Sequence, residues 1–307
     1  MTTTTTPSAT HVPSATPVTP AASATPAATV AETSTAAPAG GVPDAAHLRY
    51  GVEPPAVLRT PTIDGQLAHR SVRRYLPDAL DPDVVPTLVA AAQSAPTSSN
   101  LQVWSVVAVT EPALKERLSV LAGDQQHIRD APLLLVWAAD LTRARALAAA
   151  QQVHLEGADY LETTVVAVLD AALAAQNAVV AAESLGLGTV YIGGIRNRPL
   201  DVAAELGLPD GVVAVVGLVV GHPDPAAPAA VKPRLAQGAV LHHEVYDPQA
   251  AAAHVQAYED ALAPFYAREG LTGGWAERVV ARLRTAASLH GRDRLREDLT
   301  ARGFPSR

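Results

Sequence analysis

The chain has no cysteine in 307 residues. That excludes disulfides, a catalytic thiolate and cysteine-ligated zinc. No Lys or Arg precedes Arg49, and no continuous apolar run opens the sequence. The pattern of a secretory signal is therefore missing, and the expected compartment is the cytoplasm. The longest apolar stretch, Ala171–Ala182, still carries Gln176 and Asn177 and is flanked by Asp170 and Glu183. It reads as too short and too polar at its ends to cross a bilayer. Net charge is −7 and the isoelectric point lies near 5.8, a balance that argues against broad nucleic-acid binding. Lysine is almost absent. Only Lys115 and Lys232 occur, so arginine supplies nearly all of the 23 basic side chains.

Thr, Ala, Pro and Ser dominate the first 45 residues. Such a segment cannot bury enough apolar surface to offset chain entropy, so a disordered tail is expected over 1–46. Residues 47–307 then form one folded domain, with a C-terminal arm from 250 onward. Helix signals fall at 81–95 (Asp81 as N-cap, Pro82 at the first helical position), 110–121 (Thr110 as cap), 143–154, 160–185 and 199–206. Two further helices are expected within 250–302. Strand signals are 103–109, 132–139, 189–192 and 212–221. The 160–185 helix is apolar nearly all round and must be covered on most sides. It reads as the central helix, at a subunit interface. Helices alternating with buried strands give an α+β or α/β chain in three layers.

Against this apolar background, four short segments carry chemistry. "HRSVRR" (69–74) gathers five hydrogen-bonding side chains in six residues. As a helix start, it lets His69, Ser71 and Arg73 converge on one anion; its alternative is a solvated basic face. "SAPTSSNLQVWS" offers Ser98, Asn100 and Gln102 between a helix end and a strand. "YIGG" (Tyr191, Ile192, Gly193, Gly194) runs a strand into two glycines, where backbone can approach a flat ligand. It lacks the G-x-G-x-x-G spacing of a dinucleotide fingerprint. "VKPRL" places Lys232 and Arg234 two apart on a Pro-locked segment, so both point to one side. His242-His243-Glu244 has no matching ligand pair nearby, and no metal site is expected. No nucleophile–base pair stands out. Many anion donors without a dedicated acid, base or nucleophile point to chemistry carried by a cofactor.

Taken in order, "HRSVRRY", "SAPTSSNLQ", "GDQQHI", "AQNAVVAAESLGLGTVYIGGIRN" and "KPRLAQGAVLHHEVYD" resemble the flavin-dependent nitroreductases. The branch is that of the NADPH-dependent nitroreductases and flavin reductases. The resemblance runs from about Thr62 to Arg302. It implies a nitroreductase-like α+β fold with a central, mostly antiparallel sheet flanked by helices, a homodimer, and FMN bound at its interface. By position, His69, Arg70, Ser71 and Arg73 would hold the phosphate and ribityl end, with Lys232 and Arg234 as the other cationic half. Ser98, Asn100 and Gln102 would reach the pocket from the partner subunit. Gln125 would lie near the isoalloxazine, and Tyr191, Ile192, Gly193 and Gly194 would run along it with a backbone N–H at N5. The implied activity is ping-pong hydride transfer from NADPH or NADH through flavin N5 to nitroaromatics, quinones or related small acceptors. A flavin reductase serving a partner monooxygenase and a non-enzymatic flavin-binding protein are the alternatives. The branch resembles one with a basic NADPH clamp ahead of the arm's Trp. Here residues 270–274 are uncharged, which leaves Arg268, Arg278 and Arg282 as the available donors.

Overall fold

A computed structural model describes residues 44–51 and 55–307. The tail expected over 1–46 thus lies outside the described residues except for its last three, and the first helix, α1 (Ala45–Tyr50), begins within them. α2 (Pro61–Leu67) follows, capped by the Thr60 hydroxyl on the Ile63 N–H. α3 (Val84–Gln93) starts later than the sequence suggests. The Asp81 carboxylate accepts from the Asp83 N–H at 2.8 Å, and this local turn delays the first helical residue.

Four strands make the sheet: β1 (Trp104–Val109), β2 (Leu133–Asp140), β3 (Gly188–Ile192) and β4 (Val212–Gly221). Their order is β1-β2-β4-β3 and every ladder is antiparallel. Between β1 and β2 lie α4 (Pro112–Leu121) and α5 (Gln126–Asp130). The α4 cap is Glu111, not Thr110: its carboxylate accepts from the Ala113 and Leu114 N–H groups. α6 (Thr142–Ala150) and the long α7 (Leu161–Ser184) precede β3, and α8 (Pro199–Glu205) leads into β4.

Side-chain alternation along the buried strands builds the layers. Leu134 and Val136 of β2 face one way, into a core with Leu118 of α4, Ile128 of α5 and Val202 of α8. Leu133, Leu135 and Trp137 face the other way, onto Leu88 and Ala92 of α3 and an alanine row of α7, Ala174, Ala175, Ala178 and Ala182. These alanines let α7 lie close to the sheet. By length and composition α7 could pass for a membrane span, but this packing makes it the central helix of the fold, as the sequence indicated.

Beyond β4 the chain runs extended to α9 (Ala250–Arg268), then α10 (Trp275–Leu283) and α11 (Leu295–Ala301). The arm therefore holds three helices, one more than expected. Glu259 of α9 caps α10 by accepting from the Trp275 and Ala276 N–H groups at 2.7 and 2.6 Å. Phe304, fully buried, closes the far end of the core beside Val213 and Leu141.

Candidate functional site

Residues 69–74 are extended rather than the start of a helix. Ser71 forms a parallel bridge to Thr189 on the free edge of β3, and the Val72 N–H donates to the Thr189 carbonyl at 2.9 Å. Val72 and Tyr75 turn into the core, 4% and 8% exposed. Gly188 makes this approach possible, since a Cβ there would stand 2.7 Å from the Val72 side chain. In an extended chain, positions 69, 71 and 73 share a side. The segment is thus extended where a helix start was expected, and His69, Ser71 and Arg73 line one cleft together with Arg70.

The other half comes from far along the chain. Residues 232–234 are anchored by α9: the Tyr258 hydroxyl donates to the Pro233 carbonyl at 3.2 Å, and Lys232 Nζ stands 5.1 Å from the Phe265 ring centroid. His69, Arg70, Ser71, Arg73, Lys232 and Arg234 all line one narrow cleft of about 60 Å³, with Arg49, Phe265 and Glu269. Among the described residues, no carboxylate lies within ion-pairing distance of Arg70, Arg73, Lys232 or Arg234. Glu269, the one acid lining the cleft, pairs with Arg268 at 2.9 Å. Burial pushes the Lys232 ammonium below the usual lysine pKa, and the charges of Arg73 and Arg234 push it further. Like charges gathered this closely give the cleft a positive potential that favours anions.

The imidazole of His69 is oriented rather than free. Its Nδ1 lies 2.6 Å from Glu183 Oε1, and that carboxylate also accepts from the Thr189 hydroxyl at 2.8 Å. Gln125 is fixed by donation from its Nε2 to the Ala122 carbonyl at 2.7 Å, next to the turn that begins at Gly193. A Cβ on Gly194 would stand 2.2 Å from the Ala122 carbonyl oxygen and 2.9 Å from Gln125 Nε2, so only glycine fits. Tyr191 of β3 is half-exposed, its hydroxyl 3.3 Å from Gln176 Oε1 of α7, while Ile192 is buried. Ser98, Asn100 and Gln102 do not line the cationic cleft of their own chain. Their loop is exposed, and its backbone is tied to α7 by Asp170, 2% exposed, which accepts from the Ser98 and Val103 N–H groups. Ser99, Asn100 and Gln102 hold φ of +49°, +54° and +52°, a conformation non-glycine residues adopt at a cost, and one that clusters at binding sites.

Three participants escaped the sequence reading. Arg49, 5% exposed, reaches into the cleft from α1. Glu183 orients His69, and Phe265 floors the Lys232 side. None stands in a polar motif. The only signal was Glu183 closing the apolar central helix. Of the arginines available near residues 270–274, Arg268 covers Phe265 at 5.1 Å, and Arg278 covers Tyr266 at 4.9 Å while donating to the Thr272 carbonyl. Arg282 donates to the Ser288 carbonyl.

The nitroreductase family model matches residues 67–222, and the model of its C-terminal domain matches 232–307. The chain belongs to the nitroreductase family. Lys232 and Arg234, the second half of the cleft, fall at the start of the second match. Within this family the chain falls in the NADPH-dependent nitroreductase and flavin reductase branch. It is 44% identical to an FMN reductase (NADPH) of Bacillus subtilis, over 61% of this chain and 74% of that one. It is 37% identical to an oxygen-insensitive NADPH nitroreductase of Salmonella typhimurium, over 69% and 85%. Among solved nitroreductase folds, the NADPH:FMN oxidoreductase from Vibrio harveyi complexed with NAD+ superposes with a TM-score of 0.71 at 32% identity, covering 80% of this chain and 99% of that one.

Proposed function

We infer that the protein is an FMN-dependent NAD(P)H oxidoreductase. The observation that carries this reading is the cleft in which Arg70, Arg73, Lys232 and Arg234 meet, unpaired by any acid among the described residues. The donor set suits a phosphate monoester: arginine forks and a compact ammonium for the dianion, and the Ser71 hydroxyl for a further oxygen. FMN bound there supplies two-electron hydride chemistry that no side chain of this chain can supply. The protein's own part is to bind, orient and polarise. Gly193 and Gly194 allow backbone to approach the ring. The first N–H groups of their turn have no acceptor within it, and one of them is the donor we assign to the ring nitrogen that receives hydride. Gln125, pinned by its own hydrogen bond, packs against Gly194 of that turn. The cleft cations favour the reduced, more negative state of whatever nucleotide they hold.

The second subunit completes the site in this reading. α7 leaves Val165, Leu169 and Leu173 exposed at 42, 54 and 44%, a helical stripe of spacing four on the fold's central helix. A hollow of about 340 Å³, lined by Arg49, His69, Glu183, Gln176 and Val180, opens beside the same helix. A second copy seated on α7 covers the stripe, closes the hollow and brings in a strained loop bearing Ser98, Asn100 and Gln102. The donor exchanges with the acceptor on the remaining open face, which gives ping-pong kinetics, with nitroaromatics and quinones as acceptors.

The name of the Bacillus relative, an FMN reductase, supports a second reading of the same chemistry: free FMN as acceptor. Steady-state rates of NADPH and NADH oxidation with a nitroaromatic, a quinone and free FMN decide between the two. A quinone or nitroaromatic specificity constant above that of free FMN favours the first, the reverse order favours the second, and no turnover with any acceptor refutes both.

A further inference from the structure

Arg49 lies ahead of residue 67, where the family match begins, yet it is one of the most buried charged residues of the chain. Its guanidinium donates to three backbone carbonyls: Leu67 and His69 on one side, both at 2.7 Å, and Lys232 on the other, at 3.0 Å. Its own carbonyl accepts from the Arg234 N–H at 2.8 Å. The two halves of the cationic cleft, far apart in sequence, are thus bolted together through a single side chain and its peptide. The planar fork suits this task, because its N–H groups leave in fixed directions and can set three carbonyls at fixed spacing. Lysine, with one nitrogen, cannot reproduce that spread.

The charge of Arg49 is as informative as its bonds. Its acceptors are neutral carbonyls, and no ion pair joins it to a carboxylate among the described residues. Burial, followed by the nearby Arg234, lowers its pKa from the usual arginine value. A structural brace between two loops needs no net charge, and a buried one is unfavourable unless something compensates it. The charge of Glu183 offsets part of this from the α7 side, and an anion in the adjoining cleft would supply the rest.

We propose that Arg49 is a positioning residue for the phosphate clamp: a latch, carried on α1 ahead of the family domain, that holds the 69–73 and 232–234 segments at the separation a phosphate dianion requires. The proposal rests on the reading of the cleft as the FMN phosphate site. It assigns a cofactor-dependent role to a segment that the family match does not include. Its consequence is selectivity. Arg49 should matter for flavins that carry the phosphate and not for those that lack it.

The test uses the full chain stripped of cofactor, titrated with FMN and separately with riboflavin by flavin fluorescence. Arg49→Met keeps the stem and removes the fork, and Arg49→Lys keeps charge without the fork. Arg73→Ala/Lys232→Ala serves as the clamp control. Arg49→Met is expected to weaken FMN by about tenfold or more while riboflavin binding is unchanged, and Arg49→Lys is expected to fall between it and the wild type. If Arg49→Met does not fold, Arg49→Lys carries the same comparison. Equal loss of FMN and riboflavin, or no loss of either, overturns the latch while the double variant still loses FMN. If the double variant also keeps its FMN affinity, the clamp reading itself is wrong and the latch falls with it.

Discussion

Replacing Lys232 with Met separates two roles that a half-buried cation can play. If Lys232 is there to brace the arm, its loss weakens the empty protein. If it is there to meet a phosphate, its loss weakens ligand binding and leaves the empty protein intact or more stable. The surroundings favour the second. Like charges on Arg73, Arg234 and Arg278 act on it, opposed only by Glu269, which is itself paired to Arg268. The contact with Phe265 at 5.1 Å offsets part of this repulsion by about 0.5–1 kcal/mol, and Met replaces it with a sulfur–aromatic contact of similar size. A charge-assisted hydrogen bond to phosphate contributes about 1.5–3 kcal/mol, so Lys232→Met should raise the FMN dissociation constant by about 10- to 150-fold. Riboflavin affinity should not change. The melting temperature of the empty protein should not fall. The sign of the pH dependence follows from the lowered pKa. Between its folded value and the usual 10.5, the unfolded chain binds the Lys232 proton more readily, so stability rises with pH through that window and is lost as pH falls through the folded value. Lys232→Met lacks this component, and saturating FMN removes it from the wild type. Apo-protein titrations and melting curves across alkaline pH measure all three effects. An unchanged FMN affinity, or a drop in the stability of the empty variant, refutes the reasoning.

Other perturbations address separate parts of the structure. Gly194→Ala puts a Cβ 2.2 Å from the Ala122 carbonyl oxygen and should cost about 1–3 kcal/mol, read as a melting temperature lower by several degrees; a variant that melts with the wild type contradicts the packing of that turn. His127 has its pKa lowered from 6.5 by burial and then by Arg73, and its Nε2 is buried without a partner. Stability should therefore decline as pH falls from 6.5 through the folded value, and His127→Leu should flatten that acid limb in a pH series of melts; parallel profiles contradict the assignment. Leu169→Glu with Leu173→Glu places charge on the exposed stripe of α7 and should yield monomers in light scattering, with weakened FMN binding. A variant that remains dimeric moves the interface elsewhere.

The sheet and the central helix were legible because their signals are long and apolar. The runs 103–109, 132–139 and 212–221 fell within a residue or two of β1, β2 and β4, and 160–185 matched α7 almost to its ends. Boundaries set by side-chain capping were less so. Asp81 bonds within a local turn before α3, and Glu111 takes the role given to Thr110, because two neighbouring polar residues compete for the same N–H groups. The segment 69–74 was expected to start a helix and is extended instead. Val72 and Tyr75 are three apart, a spacing that serves a helix as well as an extended chain whose buried side chains are set by contact with β3. That Arg73 and Lys232 share a cleft could be expected only from the family resemblance, since no local pattern joins positions so far apart. Arg49 was beyond reach altogether. It is a lone arginine near prolines, and its meaning lies in carbonyls of residues 67, 69 and 232.

The central claim is that this chain closes a cationic cleft on FMN and passes electrons through it. The visible absorption spectrum of freshly purified protein, recorded before and after anaerobic addition of NADPH or NADH, tests it most directly. The expected result is a flavin spectrum that bleaches with the nicotinamide and returns on adding a quinone or nitroaromatic. A colourless protein that takes up no FMN when supplied with it, or a flavin that neither nicotinamide reduces, would contradict the account.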